Sequence, residues 1–187
     1  MNSLRIIGGE WRRRVLRFPD AEGLRPTPDR VRETLFNWLG QDLSGLSCLD
    51  LFAGSGALGF EAASRGAARV VMVEQSAKAA ASLRANAHLL GAQERVEIVQ
   101  ADAVKFASSR GAAAPRFDVL FLDPPYNRGW IARLTPMLPS LLADDGVLYV
   151  EAEKALQDCG AWRTVREGKA GQVFYHLMRS GSPDGAQ

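Results

Sequence analysis

Apolar positions along the chain follow two alternating rhythms. Short runs at Cys48–Ala53, Val70–Glu74, Val96–Gln100, Phe117–Asp123 and Val147–Glu151 are rich in Val, Leu, Ile and Phe, the signature of strands. Most are almost continuously apolar, as strands covered on both faces of a parallel sheet must be. Helical spacing fills the gaps. Ser76 can cap a helix whose Ala80, Leu83, Ala87 and Leu90 share one face, and Gly91 can end it; Gly66 closes a helix that begins near Ala57. Repeated strand–helix–strand order predicts an α/β fold: a doubly wound, mostly parallel sheet with right-handed crossovers.

The two ends break that rhythm. Residues 4–18 read as two short strands about a Gly-Gly turn. Thr27-Pro-Asp29 reads as a helix start, with a capping Thr and Pro at the first helical position. Val31, Leu35 and Trp38/Leu39 give that helix one apolar face. Trp162–Glu167 and Gln172–Arg179 read as an antiparallel pair. The expected organisation is one domain over 1–187: an N-terminal hairpin and helix over 1–44, a catalytic sheet over 45–179 and a disordered polar tail over 180–187.

Composition narrows the class. A chain of 187 residues that is 47% hydrophobic and 24% charged is that of an ordinary globular protein. No run approaches the roughly 20 apolar residues of a membrane span, and no basic flank leads into a signal-like segment. Cys48 and Cys159 match neither a disulfide scaffold nor a metal motif, so no metal is expected. A cytoplasmic protein is the reading that remains. The net charge of +2 is unevenly placed: residues 1–40 hold eight arginines against five acids (+3), and the other 147 hold 15 basic against 16 acidic groups (−1). Arg12, Arg13 and Arg14 are consecutive. On a strand Arg12 and Arg14 would project together. With Arg25 they are candidate RNA-phosphate contacts; the alternative is a solvated edge.

Candidate chemistry lies at the ends of the predicted strands. The first runs into Asp50-Leu-Phe-Ala53-Gly54-Ser-Gly56-Ala-Leu-Gly59, with Glu74 twenty residues beyond Gly54. Glycines there let the backbone approach a ligand closely, and an acid ending the next strand suits ribose hydroxyls; together they predict a nucleoside-containing cofactor. Gln75 follows that acid. Asp50 suits an ammonium better than a pyrophosphate, favouring S-adenosylmethionine over NAD; it can equally be held by backbone N–H groups. Asp102-Ala103 follows the third strand, where Asp102 either accepts an adenine amine or caps a helix.

The most specific element is Leu120-Phe-Leu-Asp123-Pro124-Pro125-Tyr126. Successive prolines fix the backbone and remove N–H donors. The Asp123 carboxylate and the Pro124 carbonyl are left as two acceptors for an exocyclic amine, and Tyr126 offers a face for an unstacked base. His88 and His176 fall in no motif and read as surface or core residues.

These residues resemble the amino-group methyltransferases that use S-adenosylmethionine. More specifically, Arg5-Ile-Ile-Gly-Gly-Glu-Trp11, Arg25-Pro-Thr-Pro-Asp-Arg-Val-Arg-Glu-Thr-Leu-Phe-Asn-Trp-Leu39, Leu49-Asp-Leu-Phe-Ala-Gly-Ser-Gly-Ala-Leu-Gly59 and Lys169-Ala-Gly-Gln-Val173 are similar to the 16S rRNA guanine-966 N2-methyltransferase family. The resemblance spans about residues 4–179. It implies a Rossmann-like sheet, methyl transfer to guanine N2 and an assembled or late-assembling small ribosomal subunit as partner. Pro28 departs from the family pattern, which more often shows Thr. The competing readings are a DNA adenine-N6 or cytosine-N4 amino-methyltransferase, for which the N-terminal segment leaves little sequence-reading surface, and a non-catalytic RNA-binding assembly factor.

Overall fold

Every apolar run of the central region becomes a strand in the structure, a computed structural model that describes residues 1–21 and 24–181. The elements are β1 (Asn2–Arg5), β2 (Val15–Phe18), α1 (Asp29–Leu39), β3 (Ser47–Asp50), α2 (Ala57–Ser64), β4 (Arg69–Glu74), α3 (Ala77–Leu89), β5 (Val96–Gln100), α4 (Ala103–Ser109), β6 (Phe117–Leu122), α5 (Trp130–Leu134), α6 (Leu138–Leu141), β7 (Leu142–Ala152), β8 (Asp158–Cys159), β9 (Trp162–Ala170) and β10 (Val173–Ser180). A 3-10 turn at Thr135–Met137 joins α5 to α6. Eight strands form one sheet in the order β5-β4-β3-β6-β7-β10-β9-β8; the first five are parallel and the last three antiparallel. The doubly wound α/β sheet with an antiparallel C-terminal pair is therefore present, as is the N-terminal hairpin.

Strand alternation sends successive side chains to opposite faces, and each face carries its own core. Cys48, Met72, Phe121, Tyr149 and Leu177 pack with α1, α2 and α3. Leu49, Val71, Leu120, Leu148 and Met178 pack with α4, α5 and α6. Burying each such large apolar side chain contributes roughly 1.5–3 kcal/mol. β7 starts earlier than its apolar run because polar Asp144 and Asp145 lie in an irregular stretch, where the β6–β7 register shifts.

The N-terminal hairpin belongs to the first of these cores. Leu4, Ile6, Trp11, Leu16 and Phe18 are buried in it. A buried acid that the sequence reading passed over fastens the hairpin loop: Glu61 of α2 accepts from the Ile7 and Gly8 N–H groups at 3.0 and 2.9 Å and is ion-paired with Arg32 and Arg65. Gly9, at φ 77°, passes so close to the Ser64 carbonyl that a side chain would not fit.

Three local expectations are corrected. Residues 7–14 form a longer connection than a Gly-Gly turn, and Arg12–Arg14 are not in a strand. The Arg13 N–H and the Arg14 carbonyl both pair with Ile6, and Arg13 has φ 73°, so the alternation that would align Arg12 with Arg14 is interrupted. At α1, Pro28 is the cap residue itself and the Thr27 side chain does not cap. Finally, Ser180 pairs within β10 rather than starting the tail; residues 182–187 lie outside the described residues.

Candidate active site

At the carboxyl ends of the parallel strands a row of acids lies along the α1–α3 face of the sheet. Asp50 pairs in register with Met72 on one side and Phe121 on the other, and Phe121 pairs with Tyr149. Glu74, Asp123 and Glu151 stand two residues beyond Met72, Phe121 and Tyr149, so they occupy the next level on that face. Among the described residues, none of these four acids is in an ion pair. Uncompensated carboxylates at the ligand end of an open sheet call for a cationic ligand.

The glycine loop supplies the cradle. Gly54 and Gly56 have φ 53° and 86°, in the left-handed region where a side chain is strained. Ala53 is buried and donates its N–H to the Val73 carbonyl. Gly59, in the first turn of α2, has no room for a side chain because Met72 of β4 lies against it. Glu74 accepts from the Gly54 N–H at 2.8 Å and from the Ser76 N–H at 3.0 Å, one on each oxygen. A carboxylate oxygen accepts more than one hydrogen bond, so Glu74 retains capacity for two hydroxyls. Gln75 follows, exposed at the same edge.

Asp50 is 1% exposed and its Oδ1 has no hydrogen-bond partner. Burial pushes this carboxyl up to about 7; the Phe52 and Gly59 N–H groups lower it, and the negative charges of Glu74 and Glu151 raise it further. An orphaned buried oxygen of this kind fits a ligand ammonium. Asp102 takes the cap role at α4, accepting from the Lys105 N–H at 3.0 Å, with Ala103 buried behind it. One of its oxygens is thereby committed.

Asp123 is partly buried at the end of β6 and Pro124 is buried behind it. Burial, together with the charge of neighbouring Glu151, holds the Asp123 carboxyl well above the usual range. Tyr126 is 37% exposed at the mouth, and burial with the nearby acids pushes its phenol up to about 12. It remains a neutral, accessible ring, suited to stacking. Phe52 of the glycine loop and Trp130 of α5 meet edge-on, with ring centres 5.3 Å apart. Burial raises both thiols, Cys48 to about 12 and Cys159 to about 11, so neither is a nucleophile. His176 is buried between the Leu156 N–H and the Val150 carbonyl, and His88 is exposed.

Three residues of this site escaped the sequence reading. Glu151 follows the apolar run of β7 one residue before the strand ends, as Glu74 follows that of β4, and that shared signal was available to find it. Thr27 and Tyr149 were not legible as site residues. The Thr27 hydroxyl reaches Glu151 from across the fold, and Tyr149 sits within an apolar run. The three RNA-contact candidates are all exposed but lie apart: Arg12 borders a groove with Glu33 and Asn37 of α1, whereas Arg14 reaches the Leu89 carbonyl at the end of α3. Arg25 sits in the segment that leads to Thr27.

Comparison with known proteins gives the same assignment. The family described as Conserved hypothetical protein 95 matches residues 4–179. The Escherichia coli K12 ribosomal RNA small subunit methyltransferase D is 44% identical over 181 residues, covering 94% of this chain and 89% of the relative. The chain belongs to this family. A solved putative methyltransferase of Escherichia coli superposes with a TM-score of 0.85 at 41% identity, covering 97% of this chain and all of the other. More distant is an RNA methyltransferase from Salinibacter ruber in complex with S-adenosyl-L-homocysteine. Its TM-score is 0.65 at 21% identity, with 86% of this chain and 97% of that one covered, which shows the shared fold. The chain is thus a methyltransferase of the small-subunit ribosomal RNA methyltransferase D family, and its row of strand-end acids lies where open α/β sheets bind ligands.

Proposed function

We propose that this methyltransferase uses S-adenosylmethionine to methylate the exocyclic N2 amine of a guanine in 16S ribosomal RNA. By family resemblance the target is guanine-966, within an assembled or late-assembling small subunit in the cytoplasm. The observation that carries the reading is the placement of Asp123-Pro-Pro-Tyr126 beside the orphaned Asp50 carboxylate. One acid suits a donor's ammonium, and the other suits an acceptor amine on the same face of the sheet.

The cofactor, when bound, supplies an electrophilic methyl group on a cationic sulfur. Asp50 receives its ammonium, Glu74 its ribose hydroxyls, and the Ala53–Gly59 loop its close backbone approach, with Gln75, Asp102 and Ala103 along the adenine side. Asp123 and the Pro124 carbonyl each accept one N–H of the guanine amine, which draws the nitrogen lone pair out of conjugation and aims it at the methyl carbon. Tyr126 stacks on the extruded base. The N–CH3 bond would form as the S–CH3 bond breaks to leave a neutral thioether, and the amine's surplus proton would pass to Asp123 and on to water; no base is needed before attack, so holding the two reactants in line supplies most of the acceleration. Arg12, Arg14 and Arg25 hold phosphates.

Position-resolved nucleoside analysis of 16S RNA from cells lacking the protein tests this. Loss of one N2-methylguanine is expected, restored by the wild-type chain and not by Asp123→Ala. An unchanged RNA profile, with methyl incorporation into DNA instead, overturns the proposal.

A further inference from the structure

One buried acid of the site has an oxygen left over once its own partners are counted. Glu151 on β7 is 5% exposed, and its Oε1 accepts from the Thr27 hydroxyl at 3.1 Å and the Tyr149 hydroxyl at 2.7 Å. Two hydroxyl donors on one oxygen suit an acceptor-only carboxylate and hold it in one orientation. Burial and the charge of Glu151 keep the Tyr149 phenol well above its ordinary value, so the phenol retains the proton it donates. Among the described residues no donor reaches Oε2, and no Lys, Arg or His pairs with Glu151. A buried carboxylate oxygen without a donor is costly unless a ligand supplies one.

Register decides which donor that is. Leu122 and Val150 pair across β6 and β7, so Asp123 and Glu151 follow them side by side on strands about 4.8 Å apart. Both acids also act on the Tyr126 phenol, so the ring given to the base stands close to the two of them. We propose that Glu151 is a specificity-determining residue: its Oε2 accepts the ring N1–H of guanine beside the Asp123 and Pro124 acceptors of the N2 amine. The inference rests on the guanine-N2 reading above. Extruded bases are read on their Watson–Crick edge. On that edge of guanine, N1–H and one N2–H point the same way, so their acceptors must be neighbours. Adenine and cytosine carry a ring lone pair where guanine carries N1–H. Set against Oε2, that lone pair leaves two acceptors facing and a buried oxygen unpaired, which rejects the wrong base. Asp123 and Pro124 alone accept any exocyclic amine, and Glu151 adds the choice of guanine.

The same two hydroxyls determine what a glutamine does at this position. Their donors hold its carbonyl oxygen in the place of Oε1, so its NH2 takes the place of Oε2. A donor there opposes the N1–H of guanine. It matches the N1 lone pair of 2,6-diaminopurine, a base that keeps the N2 amine of guanine but has no hydrogen on N1. If Glu151 served only to tie Thr27 to β7, its replacement would slow both bases alike.

The test measures kcat/KM for wild type, Glu151→Gln and Glu151→Asp on reconstituted small subunits whose 16S RNA carries either guanine or 2,6-diaminopurine at the target position. Nucleoside analysis confirms that the methyl group is on N2. Wild type should prefer guanine by about 100-fold or more. Glu151→Gln should lose about 100-fold on guanine and gain on 2,6-diaminopurine, so that the preference reverses. Glu151→Asp, shorter but still charged, should be slower on both bases and still prefer guanine by about tenfold. Affinity for S-adenosylhomocysteine should change less than about threefold in either variant, because the base edge and the cofactor use different acids. The exchange of guanine O6 for an amine is common to all three proteins and cancels when their preferences are compared. Wild type that accepts both bases within about threefold overturns the role of Glu151, as does a glutamine variant slowed equally on both or an aspartate variant that loses the preference as fully as glutamine. In each of those outcomes methylation of guanine N2 by wild type leaves the proposed substrate standing. Wild type that methylates no guanine N2, even in small subunits from cells lacking the protein, refutes the substrate and the role of Glu151 with it.

Discussion

Replacing Asp50 by asparagine should make the cofactor-free protein more stable while crippling cofactor binding. The Asp50 carboxyl ionises near 7 in the folded chain instead of near its ordinary 3.8, with burial as the main cause. Each pH unit corresponds to about 1.4 kcal/mol, so holding this group ionised in the folded state costs about 4 kcal/mol. The sign follows from proton counting. Between about pH 4 and about pH 7 the folded state holds a proton that the unfolded state has released, so this group's contribution to stability declines as pH rises through that window and is flat above it. The Asp50→Asn side chain does not titrate and has no such slope. Its amide carbonyl can serve the Phe52 and Gly59 N–H groups, but its NH2 enters the place of the orphaned Oδ1, where an unmet donor costs about 1–3 kcal/mol. The net expectation is stabilisation by about 1–3 kcal/mol at pH 8, shrinking to nothing or reversing near pH 4. Urea titrations of both proteins at several pH values measure it. Calorimetric titration with S-adenosylhomocysteine should show affinity reduced by about 10–100-fold in the variant, the loss of a charge-assisted hydrogen bond. Wild-type affinity should weaken below pH 7 as Asp50 takes up its proton, and the variant should not share that dependence. Parallel stability curves for the two proteins, or equal affinity at pH 8, would refute the reasoning.

Asp123→Ala should lower the single-turnover rate by about two to three decades, roughly 3–4 kcal/mol of transition-state stabilisation, with S-adenosylhomocysteine binding largely retained; near-normal turnover would remove Asp123 from the chemistry. Glu74→Ala should weaken S-adenosylhomocysteine by about 1–3 kcal/mol in calorimetry, with turnover at saturating cofactor little changed. Because Glu74 also holds the Gly54 and Ser76 N–H groups, the same variant should melt at a lower temperature. Arg12→Ala and Arg14→Ala lie on different sides of the hairpin loop, so their effects on RNA binding should add, each making the salt slope shallower by about 0.7–0.9; an unchanged slope in the double variant assigns both to a solvated edge.

The strand-end chemistry was legible because each part of it is local. Asp50, Glu74 and Asp123 each end an apolar run, and glycines or prolines follow the first and third, so periodicity and punctuation alone place them at the ligand end of a parallel sheet. Ser76 and Gly66 marked helix ends for the same reason, since a cap or a left-handed turn depends on neighbours within a few residues. Arg12–Arg14 show where that reasoning runs out. Their facing depends on whether Ile6 meets one residue or two across the hairpin, and that is decided by the docking of Ile7, Gly8 and Gly9 onto Glu61 and Ser64 of α2.

The sequence by itself therefore determined the sheet, its order of strands and helices, the glycine loop and the proline pair after Asp123, since these rest on spacing within one element or between consecutive ones. Only the tertiary structure decided which acids share a face and what surrounds them. Strand register brought Asp123 beside Glu151, and the packing of α1 carried Thr27 to the same carboxyl from 124 residues away. Closing that distance costs chain entropy that no local signal records. The same closure strips water from the acids, and the loss of water shifts Asp50 and Asp123 away from the behaviour of ordinary carboxylates.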